Sequence, residues 1–168
     1  MDIKKAIFSR RSVRDFAERE VEKEKLEELA KAAIWAPTGG NAQPWDFIIV
    51  SDKEKLRQIK AVSPGLLGMP PSLIAVCSNK QANVEKMGAI GDVLAVMDCS
   101  MASQNIMLRA LDLELGTCAI RSFNQSAVRE ILKIPDGVEP ELLITVGYPK
   151  QDTKAPSRKE DVIRWEEY

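Results

Sequence analysis

Apolar positions along the chain change their period several times, and each change marks an element. Asp2 suits the cap of a first short helix that ends near Ser9. After a polar link, Leu26, Leu29, Ala30, Ala33 and Ile34 recur at helical spacing. Pro37 stops that helix, because the residue before a proline is kept out of helical geometry. Thr38-Gly39-Gly40-Asn41-Ala42-Gln43-Pro44 reads as a loop. The apolar run Trp45–Val50 predicts a strand, and Ser51 or Asp52 then caps a helix through Ile59. Gly65, Gly68, Pro64, Pro70 and Pro71 make the stretch 63–71 irregular, and a second strand follows at Leu73–Cys77. The longest predicted helix covers 86–113. It carries Ile90, Leu94, Met97, Met101 and Leu108 on one stripe, with other faces also apolar, so burial on most sides is expected. Gly116–Ile120 predicts a strand, Gln125–Leu132 a helix, and Leu142–Gly147 a strand after a turn at Pro135-Asp136-Gly137. The tail from Tyr148 to Tyr168 is polar, with a closing turn near Asp161. With no internal repeat or linker, residues 1–168 form one mixed α/β domain.

Composition changes this picture mainly by exclusion. The 168 residues suit one domain, and a chain of that size buries roughly 70% of its surface on folding. Twenty-four basic and 25 acidic residues leave a net charge of −1, so no global field favours nucleic acid or an anionic membrane. The most apolar stretch, Ala89–Leu111, is interrupted by Asp92, Asp98 and Arg109, which fits a buried helix and not a membrane span. The N-terminus lacks the charged and apolar regions of a signal peptide. Cys77, Cys99 and Cys118 lie far apart, without a CxxC pair. They argue against a zinc or thioredoxin-type centre and fit a reducing, cytoplasmic setting. Histidine is absent altogether, which removes histidine-based nucleophilic catalysis, general acid–base work and metal ligation. Carboxylates, lysines, arginines, cysteines or a borrowed cofactor remain.

The chain has no GxGxxG after a strand and no GxxxxGK[ST], so classical dinucleotide-fold and P-loop readings fail. Two segments stand out. Lys4, Lys5, Arg10, Arg11 and Arg14 face only Asp2 within the first fourteen residues, which is either a solvated face or a receptor for a small anion. If Arg10–Arg14 is extended, Arg10, Ser12 and Arg14 share a side, and two guanidinium groups flanking a hydroxyl suit a phosphate and a polyol. In the second segment, Asn41 and Gln43 each offer donors and an acceptor to the edge of a planar heterocycle.

Taken in order, RRSVRDF, APTGGNAQPWDFIIV, LGTCAI and LLITVGYP resemble the nitroreductase family of FMN-dependent oxidoreductases over essentially the whole chain. The resemblance implies an α+β, three-layer α/β/α fold, with a mostly antiparallel central sheet flanked by helices, in an intertwined homodimer. The tail 150–168 would wrap onto the partner subunit. By the same resemblance Arg10 and Arg11 lie on the phosphate side of FMN, Ser12 contacts the ribityl chain and Arg14 the pyrimidine end. Pro37, Thr38, Asn41 and Gln43 reach the flavin held mainly by the other subunit. Thr117, Cys118, Ala119 and Ile120 pass its reactive face, one amide bonding N5, and Arg158 closes on the phosphate. Many relatives carry a lysine where this chain has Pro156, and Lys154 or Lys159 is its candidate replacement. Leu66, Leu67, Met69 and Phe123 are candidate lining residues of a shallow substrate pocket. The implied activity is hydride transfer from NAD(P)H through FMN to a small electron acceptor such as a nitroaromatic or quinone. The rivals are an FMN storage module and a specialised reaction such as reductive dehalogenation.

Overall fold

Strands that bury both faces need unbroken apolar runs, and this chain supplies two of them to the middle of its sheet. The computed structural model describes residues 2–154 and 156–168. Its elements run α1 (Ile3–Ser9), α2 (Lys23–Ala33), β1 (Trp45–Val50), α3 (Lys53–Ala61), β2 (Ser72–Asn79), α4 (Lys80–Met87), α5 (Gly91–Asp112), β3 (Gly116–Ile120), α6 (Gln125–Leu132) and β4 (Val138–Gly147). The strands form one antiparallel sheet in the order β1-β2-β4-β3. Alternation then sorts the side chains. Ile74, Val76, Ile144 and Val146 pack under α2 and α5, whereas Leu73, Ala75, Cys77 and Leu143 meet Leu56 and Ile59 of α3 and Val128 of α6. Helices therefore cover both faces, and the three-layer expectation holds.

The caps follow from short polar side chains. Asp2, Asp52 and Asn124 each accept a hydrogen bond from a first-turn amide of α1, α3 and α6. The helix expected over 86–113 begins later, at Gly91, and a separate helix that the periodicity did not predict, α4, precedes it. Gly88, at φ +73°, ends α4, a 3-10 turn covers Gly88–Ile90, and α5 starts at Gly91. A Cβ on Gly91 would fall 2.5 Å from the carbonyl oxygen of Asn83, whose buried amide donates back to the Gly91 carbonyl at 2.6 Å. Any side chain here would force the Asn83 backbone to shift.

The stripe expected to be the buried face of α5 is also corrected. Ile90, Met97 and Met101 are exposed, and the residues against the sheet are, with Ile106, the small Ala95, Cys99, Ala102 and Ala110. Small side chains let the helix axis approach the sheet closely, and the large ones are left facing outward. β4 begins four residues earlier than expected because a bulge admits Pro140. Val76 pairs with Leu142 and Cys77 with Pro140, so Glu141 is the extra residue. The buried Glu141 carboxylate accepts from Ser78 Oγ at 2.7 Å and Lys80 Nζ at 3.1 Å.

Gly91→Ala is expected to destabilise the fold by about 1–3 kcal/mol through overpacking at the α4–α5 corner, read as a lower urea midpoint. An unchanged midpoint would show that the corner relaxes without cost.

Candidate functional site

The site is built from the first extended segment and the far end of the chain. Arg10 leaves α1 in extended geometry, and Arg11 turns back so that its Nη1 donates to the carbonyls of Phe8 and Arg10, both at 2.7 Å. That caps the helix end and fixes the guanidinium in place. Ser12 then bridges to Thr117 in parallel, with Val13 N donating to Thr117 O at 2.9 Å. The buried Val13 occupies the space beside Gly116, where a Cβ would lie 2.7 Å from the valine side chain. The segment thus runs along the free edge of β3, so Arg10, Ser12 and Arg14 share one side.

The tail returns to the same segment. Phe16 bridges to Pro149, Ala17 N donates to Tyr148 O at 2.9 Å, and Lys150 N donates to Asp15 O at 3.1 Å. A polar knot secures the join. The Tyr148 hydroxyl donates to Glu22 at 2.6 Å and accepts from Lys25 Nζ at 2.8 Å, while the Arg19 guanidinium lies 3.8 Å from the centre of the phenol ring. The tyrosine hydrogen bond, helped by Arg19 and Lys25, holds the Glu22 carboxyl down at about 2.

Between these segments lies a cavity of about 280 Å³. Arg10, Arg11, Ser12 and Arg14 line one side, and Thr153, Lys154, Pro156 and Arg158 the other. Five cationic side chains and no carboxylate line it among the described residues, an environment for a phosphate-sized anion. Of the two candidate lysines the cavity takes Lys154 and not Lys159. Thr153 was outside the candidate set, because its placement depends on the Tyr148 join.

Thr117, Cys118, Ala119 and Ile120 form the edge strand beside this cavity's Ser12. Thr117 turns its carbonyl outward to Val13, so the two-residue alternation of an antiparallel ladder turns the Ala119 amide to the same edge. The Cys118 side chain is buried. The loop 63–71 closes against Arg14. Gly68, at φ +72°, has no room for a Cβ, which would fall 2.5 Å from the Arg14 carbonyl oxygen. Leu66 is buried there, Leu67 is exposed, and Arg121 lies over the Phe123 ring. Met69 lines a separate cleft of about 580 Å³ with Arg19, Lys53 and Arg57.

The loop after Pro37 is not brought to the basic cavity within one chain; it packs against α4 and α5. Lys86 Nζ donates to Asn41 O at 3.1 Å, Gln43 Nε2 to Asn41 Oδ1 at 3.0 Å, and Gln43 N to Thr38 Oγ1 at 3.2 Å. Gly39 N donates to Asp98 Oδ1 at 3.4 Å. Burial pushes the Asp98 carboxyl up, against the lowering effect of that amide.

The fold and the site together define a class: an α/β/α sandwich whose N-terminal segment and tail enclose an anion cavity at the sheet edge. The nitroreductase family model matches residues 7–67 and 58–148, and the chain belongs to the nitroreductase family. A relative from Archaeoglobus fulgidus, provisionally named an NADH dehydrogenase/NAD(P)H nitroreductase, is 35% identical over 88% of this chain and 86% of its own. A crystal structure of a protein under the same provisional name from Parabacteroides distasonis superposes with a TM-score of 0.85 at 32% identity, covering 99% of this chain and 98% of that one. The structure of an FMN-dependent nitroreductase from Clostridium difficile R20291 gives a TM-score of 0.82 at 29% identity, over 97% and 98% of the two chains.

Burial pushes the Cys77 and Cys99 thiols up to about 12, so both stay protonated and unreactive at ordinary pH. At pH 8 a thiol reagent is expected to label at most Cys118 in the native protein and all three cysteines after unfolding. Rapid native labelling of two or more would contradict the packing described.

Proposed function

We propose that this protein is an FMN-dependent oxidoreductase that takes hydride from NAD(P)H and passes electrons to a small oxidant such as a nitroaromatic or a quinone. The observation that carries this reading is the convergence of Arg10, Ser12, Arg14, Lys154 and Arg158 on one cavity without a carboxylate. That donor set fits FMN, whose phosphate needs cations and whose ribityl chain needs a hydroxyl partner. When bound, FMN supplies the redox chemistry; the chain supplies position and charge.

Arg10, Lys154 and Arg158 would hold the phosphate, with Arg11 fixed behind them by its bonds to Phe8 and Arg10. Lys154 would take the part left open by Pro156. Ser12 would meet the ribityl hydroxyls, and Arg14 would place positive charge at the pyrimidine end. The outward amide of Ala119 offers a donor to the ring edge. The chain has no histidine, and this chemistry needs none, because water can supply the protons.

The working unit is a homodimer. Ile90 just before α5, Val93 and Met97 of α5, and Ile3, Ile7 and Phe8 of α1 are exposed, an apolar surface that a second copy covers. In the tail Ile163 and Trp165 are also exposed, and the part of the tail beyond Arg158 reaches over the partner, while the part before it closes this chain's own cavity. Pro37, Thr38, Asn41 and Gln43, beside α5, then contact the flavin held by the other copy. No described helix is long and apolar enough to cross a membrane. Three free, buried thiols suit a reducing compartment, the cytoplasm.

FMN added to the flavin-free protein is expected to bind with a shifted flavin absorbance that NADH or NADPH bleaches without oxygen. Arg14→Ala and Arg158→Ala should each weaken FMN binding about 10- to 100-fold, the worth of a charge-assisted hydrogen bond. Light scattering should give twice the 18.7 kDa chain mass. A protein that takes up no flavin overturns the proposal.

A further inference from the structure

A second cavity, of about 190 Å³, adjoins the basic one; Arg10, Arg11 and Thr153 line both. Its walls differ in character. Val13, Met107, Leu111 and Leu115 make an apolar slot between the N-terminal segment and the end of α5. Gln151 and Asp152 stand among its lining residues. The phosphate-sized cavity already provides for FMN, so nothing in the flavin reading requires an apolar slot beyond the arginines.

The chemistry of the slot selects its occupant. Arg11 is pinned through Nη1 to two backbone carbonyls, which leaves a fixed planar cation beside apolar walls. Guanidinium planes stack on flat heterocycles. A glutamine amide pairs with the amino group and ring nitrogen of adenine, and a carboxylate accepts from the same amino group. The shared Arg10 and Arg11 sit where a diphosphate leaving the slot would need positive charge. From this juxtaposition we infer that the cavity binds an adenosine diphosphate group, with adenine in the apolar slot and the diphosphate on the two shared arginines. Two ligands carry that group: the reductant NAD(P)H, or FAD in place of FMN. The inference rests on the flavin reading for its purpose but not for its test.

The test titrates ADP alone into the full chain by calorimetry, with and without FMN, and repeats it on Leu111→Trp and Gln151→Ala. The tryptophan fills the slot from its α5 wall and leaves both arginines in the sequence. The exposed Gln151 can be truncated without disturbing the fold, which covers the case in which Leu111→Trp misfolds. ADP is expected to bind the wild type and to weaken at least about tenfold in each variant, while FMN affinity changes less than twofold. If the source is the reductant, Leu111→Trp raises the KM for NADH about tenfold at unchanged kcat, and ADP competes with NADH. If it is FAD, the flavin-free wild type prefers FAD over FMN about tenfold and Leu111→Trp erases that preference. No ADP binding, or equal binding in wild type and both variants, overturns the inference. A protein that binds ADP but takes up no flavin overturns the flavin reading alone.

Discussion

The hydrogen bond from Val13 to Thr117, with the Ser12 bridge beside it, is the contact on which the rest of the site depends. It attaches a polar segment, with too little apolar content to fold by itself, to the free edge of β3. Once attached, the segment has two ordered sides. One carries the guanidinium groups outward, and the other inserts Val13 beside Gly116. The attachment also covers part of an edge that would otherwise be open to pairing with another chain. Protecting the sheet and building the cavity are done by the same residues.

A second constraint acts through α5. Alanine and cysteine toward the sheet bring the helix close, and Val93, Val96, Met97 and Met101 of the same helix are pushed to the outside. A monomer gains nothing from that outer face. The Asp98 carboxylate, buried on α5, holds the Gly39 amide, so the helix that presents the apolar face also carries the loop with Asn41 and Gln43. In the proposed dimer, association and completion of the second half-site are one event.

Most of the fold was legible in the sequence because it is written in local signals. The caps at Asp2 and Asp52, the compact run Trp45–Val50 and the short strand Gly116–Ile120 all agree with the structure. Three features were not legible, each for a physical reason. The α4–α5 break depends on Gly91 meeting the Asn83 backbone, a contact between two segments that periodicity cannot see. The start of β4 was hidden because Pro140 reads as a strand breaker until the bulge at Glu141 is known. The buried side of α5 was misjudged because large apolar residues outweigh alanines in any hydrophobic count, although the alanines lie against the sheet. For the site, alternation placed Arg10, Ser12 and Arg14 together and the resemblance added Arg158. Thr153 depends on the Tyr148 knot and leaves no local trace, and the choice of Lys154 over Lys159 was settled only by that knot.

The Tyr148 join also decides what the cavity can report about folding. Every strand is complete by Gly147, and the residues that close the cavity follow it. Arg10 and Arg14 on one wall and Lys154 and Arg158 on the other come from segments far apart in sequence, and only the assembled sheet edge brings them together. Anion capture at this cavity is therefore a readout of the whole fold, and a chain cut short after β4 would lack one of its two walls.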